Sequence, residues 1–201
     1  TFDGQGNTIK NLKLNYVPSE DNDVSIVDRV FVGMIPATES AVIQNVTLEN
    51  GKLVVPNISP DADYMYVGLL TGGACVSNII NCHNVNCEVE SDAYGYLGGL
   101  VGYSGYLTYS TSDHTYIIGC SNSGTVELTY TGAKSVYAGG IVGGGWGEAS
   151  YITACYNLGA VSILTSETYS RAGGIVGMYG GENYMHACFN QGKVSGVTAG
   201  D

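Results

Sequence analysis

Ala138-Gly139-Gly140-Ile141-Val142-Gly143 returns as Ala172-Gly173-Gly174-Ile175-Val176-Gly177, and stands earlier as Leu97-Gly98-Gly99-Leu100-Val101-Gly102. Weaker copies occur at Val67-Gly68-Leu69-Leu70 and Val32-Gly33-Met34-Ile35. A short apolar segment framed by glycines and used five times marks a repeat architecture.

Working outward, a second unit with the pattern Ile-x-x-Cys-x-Asn-x-Gly-x-Val accompanies the first. Its copies begin at Ile117, Ile152 and Met185 and place their cysteines at Cys120, Cys155 and Cys188. Ile79-Ile80-Asn81-Cys82-His83-Asn84 opens another copy, with Asn86 where glycine is expected. Ile43-Gln44-Asn45-Val46 and Ile9-Lys10-Asn11-Leu12 repeat the opening with an aliphatic in place of cysteine. Anchored on Leu12, Val46, Cys82, Cys120, Cys155 and Cys188, the intervals are 34, 36, 38, 35 and 33 residues.

The composition selects the kind of repeat. Charged residues are 12%, glycine is 30 of 201 and tyrosine is 16, a mix poor in helix formers and rich in strand formers. Val126, Leu128 and Tyr130 alternate with Glu127, Thr129 and Thr131, the period of a half-buried strand. Hairpin signals are sparse: Asn-Gly and Asp-Gly occur only at Asn50-Gly51 and Asp3-Gly4, so an antiparallel blade repeat is disfavoured. The pattern predicts an all-β chain folded as a right-handed parallel β-helix, a solenoid of five to six coils with period 33–38. About three strands are expected per coil, with coils about 4.8 Å apart.

Equivalent residues should then form columns along the axis. Ile9, Ile43, Ile79, Ile117, Ile152 and Met185 make one inward column, and the Leu12-to-Cys188 anchors make another. Asn84, Asn122, Asn157 and Asn190 are expected to stack their amides at a corner. Gly124, Gly159 and Gly192 are expected to supply an unusual φ. Residues 1–201 read as a single domain cut from a longer chain, with loop insertions near 15–30, 56–64 and 103–116.

Charge narrows the partners. The formal net charge is -11, and no basic cluster exists to bind nucleic acid or anionic lipid. No apolar run is long enough for a membrane helix. Thiols stacked in a column do not converge on a metal, so the cysteines read as small buried hydrophobes; a bridge between Cys75 and Cys87 stays open. Asp21-Asn22-Asp23 and Asp61-Ala62-Asp63 offer clustered oxygens to Ca²⁺, but neither matches a known calcium loop and both read equally as solvated acidic loops. No metal or cofactor is expected.

The Gly-Leu-Val-Gly and Gly-Ile-Val-Gly units, followed by Cys-x-Asn-x-Gly-x-Val, resemble the GLUG-motif family. The stretch from Phe2-Asp3-Gly4 to Leu12 is similar to the opening coil found ahead of such repeats. The resemblance implies β-helical segments within long secreted or surface proteins of bacteria, many of them adhesin-like and some attached to IgA-cleaving metallopeptidases. The His-Glu-x-x-His zinc motif of those peptidases is absent: His83, His114 and His186 are not so arranged.

Residues after each Gly-rich segment make the candidate site. Tyr103, Tyr106, Tyr109 and Asp113 belong to the first, Trp146 and Glu148 to the second, Tyr179 and Glu182 to the third. Aromatic rings beside carboxylates suit sugar binding. The first reading of the same residues is a solvated acidic edge padded by tyrosine, with sugar binding after it and catalysis last. The expectation is a non-catalytic module, secreted or on the cell surface, whose partner is a glycan or a host protein, with flanking domains in the same chain. A polysaccharide lyase or glycoside hydrolase, using a carboxylate pair, is the alternative, and a plain structural stalk is the second.

Overall fold

The structure, a computed structural model, describes residues 1–16, 29–56, 64–105, 114–147 and 150–198. The described residues form 28 strands and no helix, so none is long and apolar enough to cross a membrane. Every ladder is parallel, and each strand pairs with its equivalent one coil away, as Ile79 does with Ile43 and Ile117. The chain is a parallel β-solenoid of about five coils.

Five sheets run along the axis, two more than the sequence predicts. One coil shows them in chain order: Thr115–Ile118, Ser121–Asn122, Thr125–Tyr130, Tyr137–Gly139 and Val142–Trp146, contributing to the first through fifth sheets. The extra sheets come from corners hidden inside each motif. The Gly-Gly-Ile-Val-Gly segment is a strand, a crease at Gly140-Ile141, and a second strand. A Cβ at Gly98, Gly139 or Gly173 would collide with the carbonyl oxygen of Val101, Val142 or Val176. Only glycine lets the fourth sheet fold so tightly onto the fifth.

The Ile-x-x-Cys unit also turns, at a left-handed residue: Asn45 (φ 55°), Asn81 (φ 52°), Gly119 (φ 66°), Ala154 (φ 55°) and Ala187 (φ 52°). The next corner, between the second and third sheets, repeats the device with Asn11 (φ 56°), Asn50 (φ 53°) and Asn86 (φ 54°). Asparagine tolerates this region better than most residues. Ile9-Lys10-Asn11-Leu12, at the second corner, therefore carries the same apolar-x-Asn-apolar signature as Ile43-Gln44-Asn45-Val46 at the first, which misleads the alignment of the first coil. Phe2, not Ile9, pairs with Ile43 and heads the column through Ile79, Ile117, Ile152 and Met185. Ile9 pairs with Leu48 in the second sheet. Leu12 lies one corner further on than Val46, its carbonyl accepting from Lys52 N–H at 2.7 Å. The first interval is thus longer than the 34 residues read from sequence.

The core is aliphatic, with Leu53, Leu97, Leu100, Ile117, Ile141 and Ile152 each fully buried. A polar column runs along it, and three of its four expected members, Asn122, Asn157 and Asn190, bond amide to amide. Asn122 Nδ2 donates to Asn157 Oδ1 at 2.7 Å, and Asn157 Nδ2 to Asn190 Oδ1 at 2.7 Å. Asn84 Nδ2 donates to the Gly99 carbonyl at 3.2 Å. Buried amides persist only when so satisfied. The second crease glycine makes room for them: a Cβ at Gly99 would stand 2.9 Å from Asn122 Cγ. Gly124, Gly159 and Gly192 do not take the unusual φ expected of them, being absent from the positive-φ residues. They are glycine because a Cβ would strike the backbone of the preceding coil, at Cys87, Gly124 and Gly159 respectively.

Candidate functional site

All six cysteines are free thiols. Cys82, Cys120, Cys155 and Cys188 stack through the core, Cys120 N–H lying 3.4 Å from Cys155 Sγ and Cys155 N–H 3.4 Å from Cys188 Sγ. Cys75 ends a fifth-sheet strand and Cys87 leads into the third sheet, and neither is bridged. Among the described residues no group of three or more His, Cys, Asp or Glu is placed to hold a metal ion. The two acidic triplets, with Tyr106, Tyr109, Asp113 and Glu148, lie outside the described residues.

The tyrosines organise into two ladders that sequence reading assigns to loops or overlooks. The first follows the crease. Phe31, Tyr66, Tyr96 and Tyr137 are register partners on the fourth sheet, with ring centroids 5.0, 5.4 and 5.0 Å apart. Tyr103, from the fifth sheet, closes on the ladder at 4.7 Å from Tyr66 and 5.9 Å from Tyr96. The rings settle there because the fifth sheet offers glycine. A Cβ at Gly73 would stand 2.6 Å from the Phe31 ring, and one at Gly144 2.5 Å from the Tyr96 ring. Tyr64 and Tyr94 extend the cluster at 4.5 Å, and Lys134 Nζ sits 4.7 Å above the Tyr94 ring. Burial pushes the Tyr66 phenol up to about 12 and raises Tyr94, Tyr96 and Tyr103 as well. Tyr103, a candidate from sequence, is therefore buried packing whose ring is covered by its neighbours, and its hydroxyl donates to the Trp146 carbonyl at 3.3 Å.

Tyr179 also lies on a strand, Val176–Gly180, and packs against the core. Its ring occupies the space a Cβ on Gly145 would need. Its hydroxyl is buried beside those of Ser104 and Ser150, which bond each other at 2.6 Å, and burial pushes the phenol up to about 12. Tyr103 is thus buried, and Tyr179 is partly buried with its hydroxyl turned inward.

The corner between the fifth and first sheets is different. Trp146 ends its strand with 62% of its surface exposed. It pairs in register with Gly180, and its six-membered ring fills the place where a Gly180 Cβ would be. The indole thus lies down on the next coil, one face on glycine and the other on solvent. Asn183 pins the backbone beneath: its Nδ2 donates to the Gly180 carbonyl at 2.9 Å, and its Oδ1 accepts from Ser150 N–H at 2.9 Å. Glu182 is exposed next to it.

Beyond the corner, on the first sheet, stands the second ladder. Tyr116, Tyr151 and Tyr184 are register partners, stacked at 5.2 and 4.8 Å with planes 16° and 11° apart. Tyr116 and Tyr184 are exposed, and the His114 ring lies 5.1 Å from Tyr151. The Tyr151 phenol is raised by partial desolvation, then by its tyrosine neighbours and by the Glu182 charge; Glu182 stands two residues before Tyr184 in the chain. A constant offset could have found this ladder: each of these tyrosines stands four residues before Cys120, Cys155 or Cys188. The crease ladder has its own signature, an aromatic two residues before Gly33, Gly68, Gly98 and Gly139.

No family model matches the chain, and no curated protein does. Among solved structures the chain is similar to a putative immunoglobulin A1 protease from Bacteroides ovatus, at 18% identity and a TM-score of 0.60. The match covers 96% of this chain and 62% of that one, so the chain spans under two thirds of its neighbour. A likeness at that identity is a likeness of fold alone.

Proposed function

We propose that this chain is a non-catalytic, GLUG-like β-solenoid module of a secreted or cell-surface bacterial protein, and that it binds glycans at the corner between its fifth and first sheets. The observation that supports this reading most directly is Trp146, an indole laid over Gly180 with its outer face open. Such a surface stacks on the apolar face of a pyranose, and a neighbouring carboxylate such as Glu182 accepts hydroxyl hydrogen bonds. Tyr66, Tyr96 and Tyr103, by contrast, have their rings covered by one another. The Bacteroides ovatus neighbour is named as a protease, but the His-Glu-x-x-His motif that zinc peptidases of this kind use is absent from this sequence.

A glycan array, followed by calorimetry on the best sugar, tests the reading. Binding should be retained by the intact chain and weakened about tenfold by Trp146→Ala. Binding of a host protein but no sugar, or release of reducing ends or cleaved peptide, would replace it with another function.

A further inference from the structure

We infer that the glycan is an extended, uncharged polysaccharide lying parallel to the solenoid axis, stacked on Trp146 and hydrogen-bonded by the row of Tyr116, Tyr151 and Tyr184 hydroxyls. This rests on the glycan reading above and adds the ligand's shape, direction and charge.

The three tyrosine rings are nearly parallel at 4.8–5.2 Å. At that separation rings lie face over face, because side-by-side rings would collide. The inner faces are therefore covered, and what the row offers is its outer edge: one phenol hydroxyl per coil, at the coil spacing of about 4.8 Å. A phenol both donates and accepts. An extended 1,4-linked hexose chain advances by close to one coil spacing per sugar. Laid along the axis, it meets an equivalent hydroxyl at each step; laid across the sheets, it meets one and then leaves the row. Trp146 lies five residues before Tyr151, across a single corner, and Glu182 acts on the Tyr151 phenol. Platform, carboxylate and hydroxyl row thus share one edge of the molecule.

Charge selects among polysaccharides. The row, Trp146, His114 and Glu182 include no Lys or Arg, and the chain carries a net charge of -11. A uronate or sulfated chain would be repelled by this field. A neutral one loses nothing to it.

The test is calorimetry on the full chain with cello- and manno-oligosaccharides graded from disaccharide to hexasaccharide, and with oligogalacturonates as the charged comparison. Affinity should rise with length for a neutral series and be absent for the charged one. Trp146→Ala should weaken every length about tenfold. The triple variant Tyr116→Phe, Tyr151→Phe, Tyr184→Phe keeps the stacked rings and removes only the hydroxyls. It should weaken the disaccharide least and the hexasaccharide most, the latter at least tenfold. If Trp146→Ala weakens all lengths while the triple variant binds like the parent, or if affinity does not grow with length, the axial placement is overturned and the glycan reading stands. Tighter binding of oligogalacturonate overturns the neutral assignment. If Trp146→Ala binds like the parent, or no sugar binds, the glycan reading falls and this inference with it.

Discussion

The two tyrosine ladders are built alike and end in opposite circumstances. Ring spacing is 5.0–5.4 Å in the crease ladder and 4.8–5.2 Å in the first-sheet ladder. Yet Tyr66 and Tyr96 are 6% and 8% exposed, against 37% and 51% for Tyr116 and Tyr184. The stacking itself is inherited from the coil spacing, so any column of aromatics on a solenoid acquires it. Burial depends on the neighbouring sheet. Beside the crease, Gly73 and Gly144 remove the Cβ atoms that would hold the rings off. Among the described residues, no glycine opens a comparable space against Tyr116, Tyr151 or Tyr184. One ladder thus becomes a second small core, and the other remains surface.

The strongest challenge to this contrast is alkaline pH, which acts on the whole crease at once. Buried phenols resist ionisation, and the folded Tyr66 value near 12 lies above the unfolded value near 10. A folded value that is raised leaves stability intact below about pH 10 and removes it as pH climbs through about 12. Near-ultraviolet circular dichroism and tyrosinate absorbance, followed together, should show crease ionisation coinciding with unfolding. A crease that titrates smoothly in the folded state breaks the comparison.

Next in size is Tyr96→Ala, which empties a packed aromatic site and should cost about 3–5 kcal/mol in urea unfolding. Gly144→Val tests the cause rather than the ladder: it sets a side chain against the Tyr96 ring and should cost about 1–3 kcal/mol. The equivalent deletion on the exposed ladder, Tyr151→Ala, should cost no more than about 1 kcal/mol, the worth of stacked pairs without burial. A Tyr151→Ala loss as large as that of Tyr96→Ala would make the first-sheet ladder structural too, and would weaken its claim to be a binding surface.

Repeat number, parallel pairing and the asparagine column were legible in the sequence because each depends on one residue type recurring at one place in the coil. Corners were less legible. Asn45 and Asn50 use the same left-handed device within six residues, so Ile9 could be aligned with either Ile43 or Leu48, and periodicity alone chose the wrong one. The crease at Gly140-Ile141 was read as part of a strand because its neighbours are apolar on both sides. At the candidate site, Trp146 and Glu182 were singled out by composition, since an aromatic and an acid after a glycine run stand out in a chain with one tryptophan. Tyr103 and Tyr179 share that composition but point into packing, and direction is set by which sheet folds against which. That information resides in Gly73, Gly144 and Gly145, residues whose meaning appears only when the ring they receive is known.

The thiol column has a practical consequence. Thiol reagents attack only what solvent can reach, and Cys82, Cys120 and Cys155 are fully buried while Cys188 is partly open. The cysteines are therefore a row of native timing marks, one per coil, from Cys82 in the middle of the chain to Cys188 near its described end. The order in which a mass spectrometer finds them alkylated would trace, coil by coil, whether the solenoid unzips from that end or opens as a unit.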